Sequence, residues 1–126
     1  MKSLIAAIVV ALSLVAGSVW HGIYVGKTTK EIIEKTEDVA LAVEALDYQS
    51  AQESAKILQD VVAREEDLLG VICDHKDYYE IKRTIGEMSA YIDEEDGAES
   101  MAHCIAIISM TERISEMSKP YISNIL

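Results

Sequence analysis

The sequence predicts an all-α protein, in which an N-terminal transmembrane helix is followed by two stacked helical hairpins or an up-down four-helix bundle. Three observations predict this class. An uninterrupted apolar run opens the chain, apolar residues recur every three or four positions along the remainder, and residues 27–126 contain one proline and no long alternating pattern. A chain of 126 residues has room for one small domain. We therefore expect an anchor over 1–26 and a soluble domain over 27–126.

The apolar run begins after Lys2 and contains no Asp, Glu, Lys or Arg before Lys27. About 20 apolar residues are enough for a helix to cross a bilayer. A cleaved signal peptide is the alternative, since residues 16–18 (Ala-Gly-Ser) resemble a small-residue cleavage site. The apolar run continues beyond that site to Val25, so we expect an uncleaved signal-anchor that contacts membrane lipid.

The predicted soluble domain is strongly acidic. All 22 acidic residues follow position 26, together with 10 lysines and arginines, which leaves a charge of about −12. Nucleic-acid binding needs a basic surface, so this charge argues against it. The short tail before the anchor favours an extracytoplasmic domain, whereas Lys27, Lys30 and Lys35 oppose that orientation by the positive-inside rule. We expect a single-pass membrane protein whose soluble domain lies outside the cytoplasm.

Four apolar stripes at helical spacing predict four helices in the soluble domain, over about 28–46, 50–73, 77–93 and 97–118. Such stripes are typical of the core-facing side of an amphipathic helix. The predicted core positions are Ile32, Thr36, Val39, Val43 and Leu46; Ala51, Ala55, Leu58, Val62, Leu69 and Ile72, with Glu65 as a polar interruption; Tyr78, Ile81, Ile85, Met88 and Ile92; and Met101, Cys104, Ile108, Thr111 and Ile114.

A capping residue followed three positions later by Glu marks the start of each predicted helix. The four pairs are Thr28/Glu31, Ser50/Glu53, Asp77/Glu80 and Asp96/Glu99. Pro120 closes the fourth helix, because the residue before a proline disfavours the helical conformation.

A weak internal repeat supports the two-hairpin arrangement. Residues 47–58 and 94–105 share alanine at two places, at an interval of 47. Small residues there predict close packing of the returning helix of each hairpin.

The whole chain resembles the family called domain of unknown function 4363. The residues that carry the resemblance are the Asp-aromatic-x-x-Ala helix start at 47–51, Asp74-His75 after an apolar helix end, Tyr91-Ile92 at a helix exit, and the final Asn124-Ile125-Leu126. The resemblance implies a small membrane-anchored helical protein of endospore-forming bacteria, and hence a bacterial cell membrane. It implies no catalytic residues, and it suggests a neighbouring membrane protein as partner.

The stretch CDHKDYYE, residues 73–80, has two interpretations. Cys73, Asp74, His75 and Asp77 are metal-ligand types, but their spacing does not suit tetrahedral zinc. Cys104 is predicted too far along an antiparallel bundle to join Cys73 in a disulfide or a shared metal site. As the joint between two helices, the stretch supplies positive charge at one helix end and a cap for the next. We therefore predict a joint.

No catalytic motif is present, and we predict a non-enzymatic interaction or accessory subunit of a membrane assembly, with no cofactor, metal, nucleic acid or small-molecule substrate. The alternative is a metal-binding sensor domain that uses the Asp74-His75 joint. In an up-down bundle the joint and the chain end return toward the membrane. The predicted partner-binding residues are Asp74, His75, Tyr121, Ile122, Ile125 and Leu126.

Overall fold

A computed structural model describes residues 2–72 and 74–118, without the side chains of 17–25, 68, 71, 72, 117 and 118. This part of the chain contains five helices and no strand, which confirms the all-α prediction. The helices are α1 (Lys2–Glu44), α2 (Tyr48–Arg64), α3 (Glu66–Ile72), α4 (His75–Asp93) and α5 (Gly97–Ser118).

The four long helices form a bundle of two antiparallel hairpins. Helix α1 packs against α2 and α5, and α4 packs against the same two helices. Because short turns join α1 to α2 and α4 to α5, neighbouring helices run in opposite directions. This is the predicted up-down arrangement. We call the end that holds the two hairpin turns the top, and the end that holds the start of α4 the base.

The core is built from the predicted stripes, with a few shifts. Every member of the third stripe is buried, from Tyr78 to Ile92, and so are the first four members of the first stripe. In α5, Ile107 is fully buried, whereas the predicted Ile108 is only half-buried. The side chain of the predicted Ile72 lies outside the described residues.

Leu46 is the clear exception, because it was predicted in the core and is 74 % exposed. Helix α1 ends two residues earlier than predicted, and Leu46 adopts a left-handed conformation with φ of 59°. The N–H of Leu46 donates to the Val43 carbonyl (3.0 Å), and the N–H of Asp47 donates to the Ala42 carbonyl (2.9 Å). These two bonds form a Schellman turn, which satisfies the last carbonyls of the helix.

The second hairpin turn repeats this arrangement. Glu95 is left-handed with φ of 56°, its N–H donates to the Ile92 carbonyl (3.0 Å), and the N–H of Asp96 donates to the Tyr91 carbonyl (2.9 Å). The two turns meet at the top of the bundle, where a Cβ added to Gly97 would lie 3.1 Å from the Tyr48 hydroxyl.

The observed helix starts contradict three of the four predicted capping residues and confirm the fourth. The cap of α2 is Asp47, whose carboxylate accepts from the N–H (3.1 Å) and hydroxyl (2.7 Å) of Ser50, so the predicted Ser50 lies inside the first turn. Both hydrogen bonds lower the pKa of Asp47, and the bond to the Ser50 hydroxyl has the larger effect. The predicted Asp96 cap is confirmed, since its carboxylate accepts from the Glu99 N–H (3.1 Å). The other two predictions, Thr28 and Asp77, are wrong.

Each of these two fails for its own reason. No helix begins at Thr28, because α1 passes through it without a break and the residue is buried against the bundle. Helix α4 begins earlier than predicted, with Asp74 at the N-cap position, and this places Asp77 in the first turn.

The two hairpins are related by an interval of 49 residues, the distance between Asp47 and Asp96. The interval matches turn to turn and buried position to buried position. The matched pairs in the first helices are Ile32/Ile81, Thr36/Ile85, Val39/Met88 and Val43/Ile92, and those in the second helices are Ala51/Ser100, Ala55/Cys104, Leu58/Ile107 and Val62/Thr111.

The predicted interval of 47 was therefore wrong by two residues. Ala51 and Ala55 are buried as expected, but the alanines proposed to match them, Ala98 and Ala102, are exposed. The helix caps, rather than the alanines, place the two hairpins in register.

Helix α1 is one continuous helix of 43 residues, where the sequence predicted an anchor and a separate helix from about 28. In the part of the chain that the structure describes, no helix is long and apolar enough to cross a membrane. The predicted anchor includes residues 17–25, whose side chains lie outside the described residues, and it stays a prediction.

The second predicted helix, 50–73, is interrupted at Glu65, and α3 continues after a turn. Glu65 occupies the core-facing position that the sequence marked as a polar interruption, and its side chain is 12 % exposed. The position that matches it in the second hairpin is the buried Ile114, and there α5 continues without a break. A carboxylate is costly to bury, so the helix breaks where Glu65 interrupts its apolar stripe, and the stripe resumes at the buried Leu69 of α3.

Candidate functional site

The predicted joint between the hairpins lies at the base of the bundle. Asp74 is the N-cap residue of α4 and makes no side-chain capping bond, and His75 is the first residue of the helix. Both are exposed. The joint is confirmed as the boundary between two helices, and it leaves two polar side chains open to solvent.

A cleft of about 310 Å³ lies beside His75, between α3 and the first turn of α4. Two carboxylates stand on the α3 side, and an imidazole and two phenol rings stand on the α4 side. The lining residues are Glu66, Asp67, Gly70, His75, Tyr78 and Tyr79.

The aromatic side of the cleft is partly preformed. The centroids of the Tyr78 and Tyr79 rings are 5.8 Å apart, and those of His75 and Tyr79 are 6.5 Å apart. Tyr78 is buried in the core, whereas Tyr79 is 63 % exposed. The core therefore holds one ring in place, and the second ring is presented to solvent.

The charge around the cleft is negative. Glu66 and Asp67 are exposed in the first turn of α3. The arginine next to them, Arg64, bonds to Glu31 of α1 (2.9 Å) and to Glu65 (3.4 Å). The hydrogen bond to Glu31 is the main reason that the pKa of Arg64 is raised. Because Arg64 is engaged by other carboxylates, the cleft keeps its negative charge.

The described residues offer no set of ligands for the alternative of a metal site. Among them, no group of three or more His, Cys, Asp or Glu side chains could hold a metal ion. Asp74 and His75 reach the surface at the joint. Cys73, the third candidate ligand, lies outside the described residues.

His103 belongs to a different part of the molecule. Its Nδ1 lies 2.7 Å from the Glu99 carbonyl oxygen, and its Nε2 lies 3.1 Å from Oε2 of Glu87 on α4. The ring also contacts the Tyr91 ring in a tilted arrangement, with centroids 5.0 Å apart. His103 therefore ties α5 to α4 on the side of the bundle and is distant in sequence from the joint.

Cys104 is a free thiol in the core, 1 % exposed. Its Sγ donates to Sδ of Met88 (3.4 Å). Burial raises the pKa of the Cys104 thiol to about 11. The thiolate is the reactive form of cysteine, so this residue acts as a core side chain. The predicted separation of Cys104 from Cys73 involves a residue outside the described ones and stays a prediction.

Four of the six predicted partner-binding residues, Tyr121, Ile122, Ile125 and Leu126, lie outside the described residues and stay predictions. Sequence reasoning missed the other wall of the cleft. Glu66 and Asp67 were included in one long helix, and only the break at Glu65 brings them opposite Tyr79. The polar residue in the apolar stripe, Glu65, was the feature of the sequence that could have predicted this break.

The fold and the cleft define a class of protein: an acidic, all-helical bundle of two matched hairpins with an open joint at its base. The model of the family described as Domain of unknown function (DUF4363) matches residues 19–125. The chain belongs to this family, which confirms the resemblance inferred from its sequence. No curated protein and no solved structure matches it.

Proposed function

We propose that the chain is a membrane-anchored, non-enzymatic interaction subunit, held by the first half of α1 and presenting the base of its bundle to a membrane-protein partner. The observation that carries this proposal is the exposed apolar surface of α1. Every side chain from 2 to 16 is exposed. Its large apolar members are 51–67 % exposed: Leu4, Ile5, Ile8, Val9, Val10, Leu12, Leu14 and Val15.

An apolar surface of this kind is unfavourable in water, at roughly 25 cal/mol for each Å² exposed. A bilayer removes it from water, and the sequence continues the apolar run to Val25. Because α1 passes into the bundle without a break, the anchor ends at the base, next to the joint. The joint and cleft therefore face the membrane side, where a membrane-protein partner is within reach.

The domain surface supports binding rather than catalysis. In the described residues, His103 bonds to Glu87 and Glu99 and the thiol of Cys104 is buried, whereas His75 is exposed at the joint, where a partner can reach it. The acidic charge opposes contact with nucleic acid and anionic lipid. The proposal includes a soluble domain that lies outside the cytoplasm and an anchor that is not cleaved.

Membrane fractionation tests the anchor. We expect the full chain to stay with membranes through high salt and through carbonate, because burial of apolar surface is not screened by ions. A lysine at the centre of a spanning helix costs roughly 2.5–3.5 kcal/mol. Leu12→Lys should therefore release the chain, whereas the control Leu41→Lys, at an exposed position of the bundle, should not. Release of the unmodified chain, or a mature N-terminus near Val19 by mass spectrometry, would contradict the anchor.

Affinity purification from native membranes tests the interaction role. The full chain should co-purify with an integral membrane protein, and substitution of Asp74 and His75 by alanine should weaken that association. The same number of alanine substitutions at the top, at Glu94 and Glu95, serves as the control. Equal recovery of the partner with both variants would move the binding surface away from the base.

A further inference from the structure

The base of the bundle has two grooves that occupy equivalent positions in the 49-residue repeat. The second groove, of about 320 Å³, lies between α1 and α5 and includes Gly26, Thr29, Lys30 and Ser115. Adding 49 to the first three positions gives His75, Tyr78 and Tyr79, and Glu66 of the cleft matches Ser115. The groove between α1 and α5 also has two carboxylates, Glu34 and Glu37, so the two grooves differ chiefly in the aromatic side chains of the cleft.

The differences between the grooves are concentrated in the side chains that a ligand would meet. Where the groove between α1 and α5 has a glycine, a threonine and a lysine, the cleft has an imidazole and two phenols. The lysine of that groove, Lys30, lies 4.0 Å from the carboxylate of its neighbour Glu34. Packing of the bundle explains the buried Tyr78, but it does not require an exposed ring at Tyr79.

The cleft combines three properties that suit a guanidinium group. Two carboxylates, Glu66 and Asp67, can accept paired hydrogen bonds from its N–H groups. The exposed face of Tyr79 offers an aromatic surface on which a planar cation stacks. The volume of about 310 Å³ leaves space between the carboxylates and the rings.

Resting on the proposed function, we propose that this cleft, formed by Glu66, Asp67, Tyr78 and Tyr79, binds an arginine side chain of the membrane-protein partner. Arginine fits better than lysine, because a flat guanidinium can stack on a ring and bond to two carboxylates together, whereas an ammonium is a strongly hydrated point charge. The acidic charge of the chain favours a cationic partner, since complementary potentials steer association.

A titration of the full, isotope-labelled chain in an uncharged maltoside detergent tests this proposal by NMR. The probe is an end-blocked Ala-Arg-Ala peptide, and its partner probe contains citrulline, which has nearly the same shape and no charge. With the arginine peptide we expect saturable shifts of the amide signals of Gly70, His75 and Tyr79. The citrulline peptide should leave them unchanged. An absence of saturable shifts with the arginine peptide overturns the proposal.

Two variants separate a built site from general attraction to an acidic protein. Glu66→Gln with Asp67→Asn should weaken binding at least about tenfold, because charge-assisted hydrogen bonds are lost. Glu94→Gln with Glu95→Gln removes the same charge at the top of the bundle and should leave affinity unchanged. Equal weakening by the two variants would mean bulk electrostatics and would overturn the proposal.

A third variant tests the ring. Tyr79→Leu should weaken the arginine peptide while the circular dichroism of the bundle stays the same, since Tyr79 is mostly exposed. Choline chloride forms the last arm, as a stand-in for a lipid headgroup. Binding of choline without binding of the arginine peptide would assign the cleft to lipid and reject the proposal.

These outcomes are independent of the anchor. If the arginine peptide binds but carbonate extracts the chain from membranes, the cleft assignment stands and the membrane proposal fails. If the chain stays in membranes with a partner and the peptide does not bind, only the cleft assignment fails.

Discussion

Two residues with an unfavourable backbone conformation close the two hairpins. Leu46 and Glu95 are both left-handed, and neither is a glycine or an asparagine. This conformation costs an L-residue about 1–2 kcal/mol, because Cβ approaches the next carbonyl oxygen. The bonds of the Schellman turn and the following Asp caps offset that cost. A substitution that relieves the backbone strain at either turn should therefore increase the stability of the fold.

Glycine at position 46 should increase the free energy of unfolding. Leu46→Gly removes a strained Cβ, and because the side chain is 74 % exposed, little packing is lost. Allowing for the greater freedom of glycine in the unfolded chain, we expect stabilisation by about 0.5–1 kcal/mol. Glu95→Gly should change stability in the same direction.

Thermal unfolding followed by circular dichroism measures both variants. The control is Leu41→Gly, also at an exposed position but inside α1, where glycine should destabilise by about 1 kcal/mol. Destabilisation by all three substitutions would show that the side chains at 46 and 95 contribute more than their backbone strain costs.

Cys104 should be protected from thiol reagents in the folded protein. In a Cys73→Ala background, iodoacetamide at pH 8 should label Cys104 only as fast as the domain unfolds, because the thiol is buried and its pKa is raised to about 11. Denaturant should restore rapid labelling. Fast labelling of the native protein, counted by mass spectrometry, would show that this part of the core opens locally.

The same thiol makes a prediction for alkaline pH. Its ordinary pKa is 9.0 and its folded pKa is about 11, so the folded state holds the proton more tightly. The contribution to stability is complete below pH 9 and is lost as the pH rises from 9 to 11. The Cys104→Ala variant should show a shallower loss of stability over that range in chemical denaturation.

Two helices contain a residue that could interrupt them, and only one of the helices is interrupted. The helix α1 continues through Gly26, whereas α2 ends at Glu65. A Cβ placed at Gly26 meets nothing within 4 Å. Glu65 ends α2, because its carboxylate falls on the core-facing side. Buried apolar contact, rather than intrinsic helix propensity, decides where these helices end.

Substitutions at Gly26 should separate helix propensity from continuity. Gly26→Ala should stabilise α1 by roughly 0.5–1 kcal/mol, since alanine favours a helix and fits the space. Gly26→Pro should break the helix and uncouple the anchor from the bundle. Spin labels at residues 12 and 41, both exposed, should give a narrow distance distribution in the wild type and in Gly26→Ala. A broad distribution in the wild type would identify Gly26 as a hinge.

At the scale of the whole molecule, the repeat places both turns at one end and the joint at the other. The top is acidic, with Glu94 and Glu95 exposed, whereas the base adjoins the helix that continues into the proposed anchor. Both ends carry exposed carboxylates, Glu94 and Glu95 at the top and Glu66 and Asp67 at the base, so the continuity of α1, rather than charge, favours the base as the membrane-facing end.

Fluorescence quenching in vesicles checks this orientation. A fluorophore attached at position 75, at the base, should be quenched by lipid-borne quenchers more than one attached at position 97, at the top. Both positions begin helices, but a Cβ at position 97 would lie 3.1 Å from the Tyr48 hydroxyl, so the circular dichroism of each labelled chain should be checked against that of the unlabelled protein. Equal or reversed quenching would show that the bundle tilts or folds back on α1, and the base would then lose its role as the membrane-facing surface.

The helical class, the buried stripes, the Asp96 cap and the family could be predicted from the sequence, because helical hydrogen bonds and a period of 3.6 residues involve positions close together in the chain. In the third stripe, Tyr78 to Ile92, every position predicted from that period is buried. The exposure of Leu46, the break at Glu65 and the register of 49 residues were not predicted from the sequence and became visible in the folded bundle. The exposure of Leu46 follows from where its hairpin turn closes, the break at Glu65 from the position of its carboxylate on the core side, and the register from the caps Asp47 and Asp96. The cleft also depends on how helices pack, because Glu66 and Tyr79 belong to different helices, α3 and α4, that line it together.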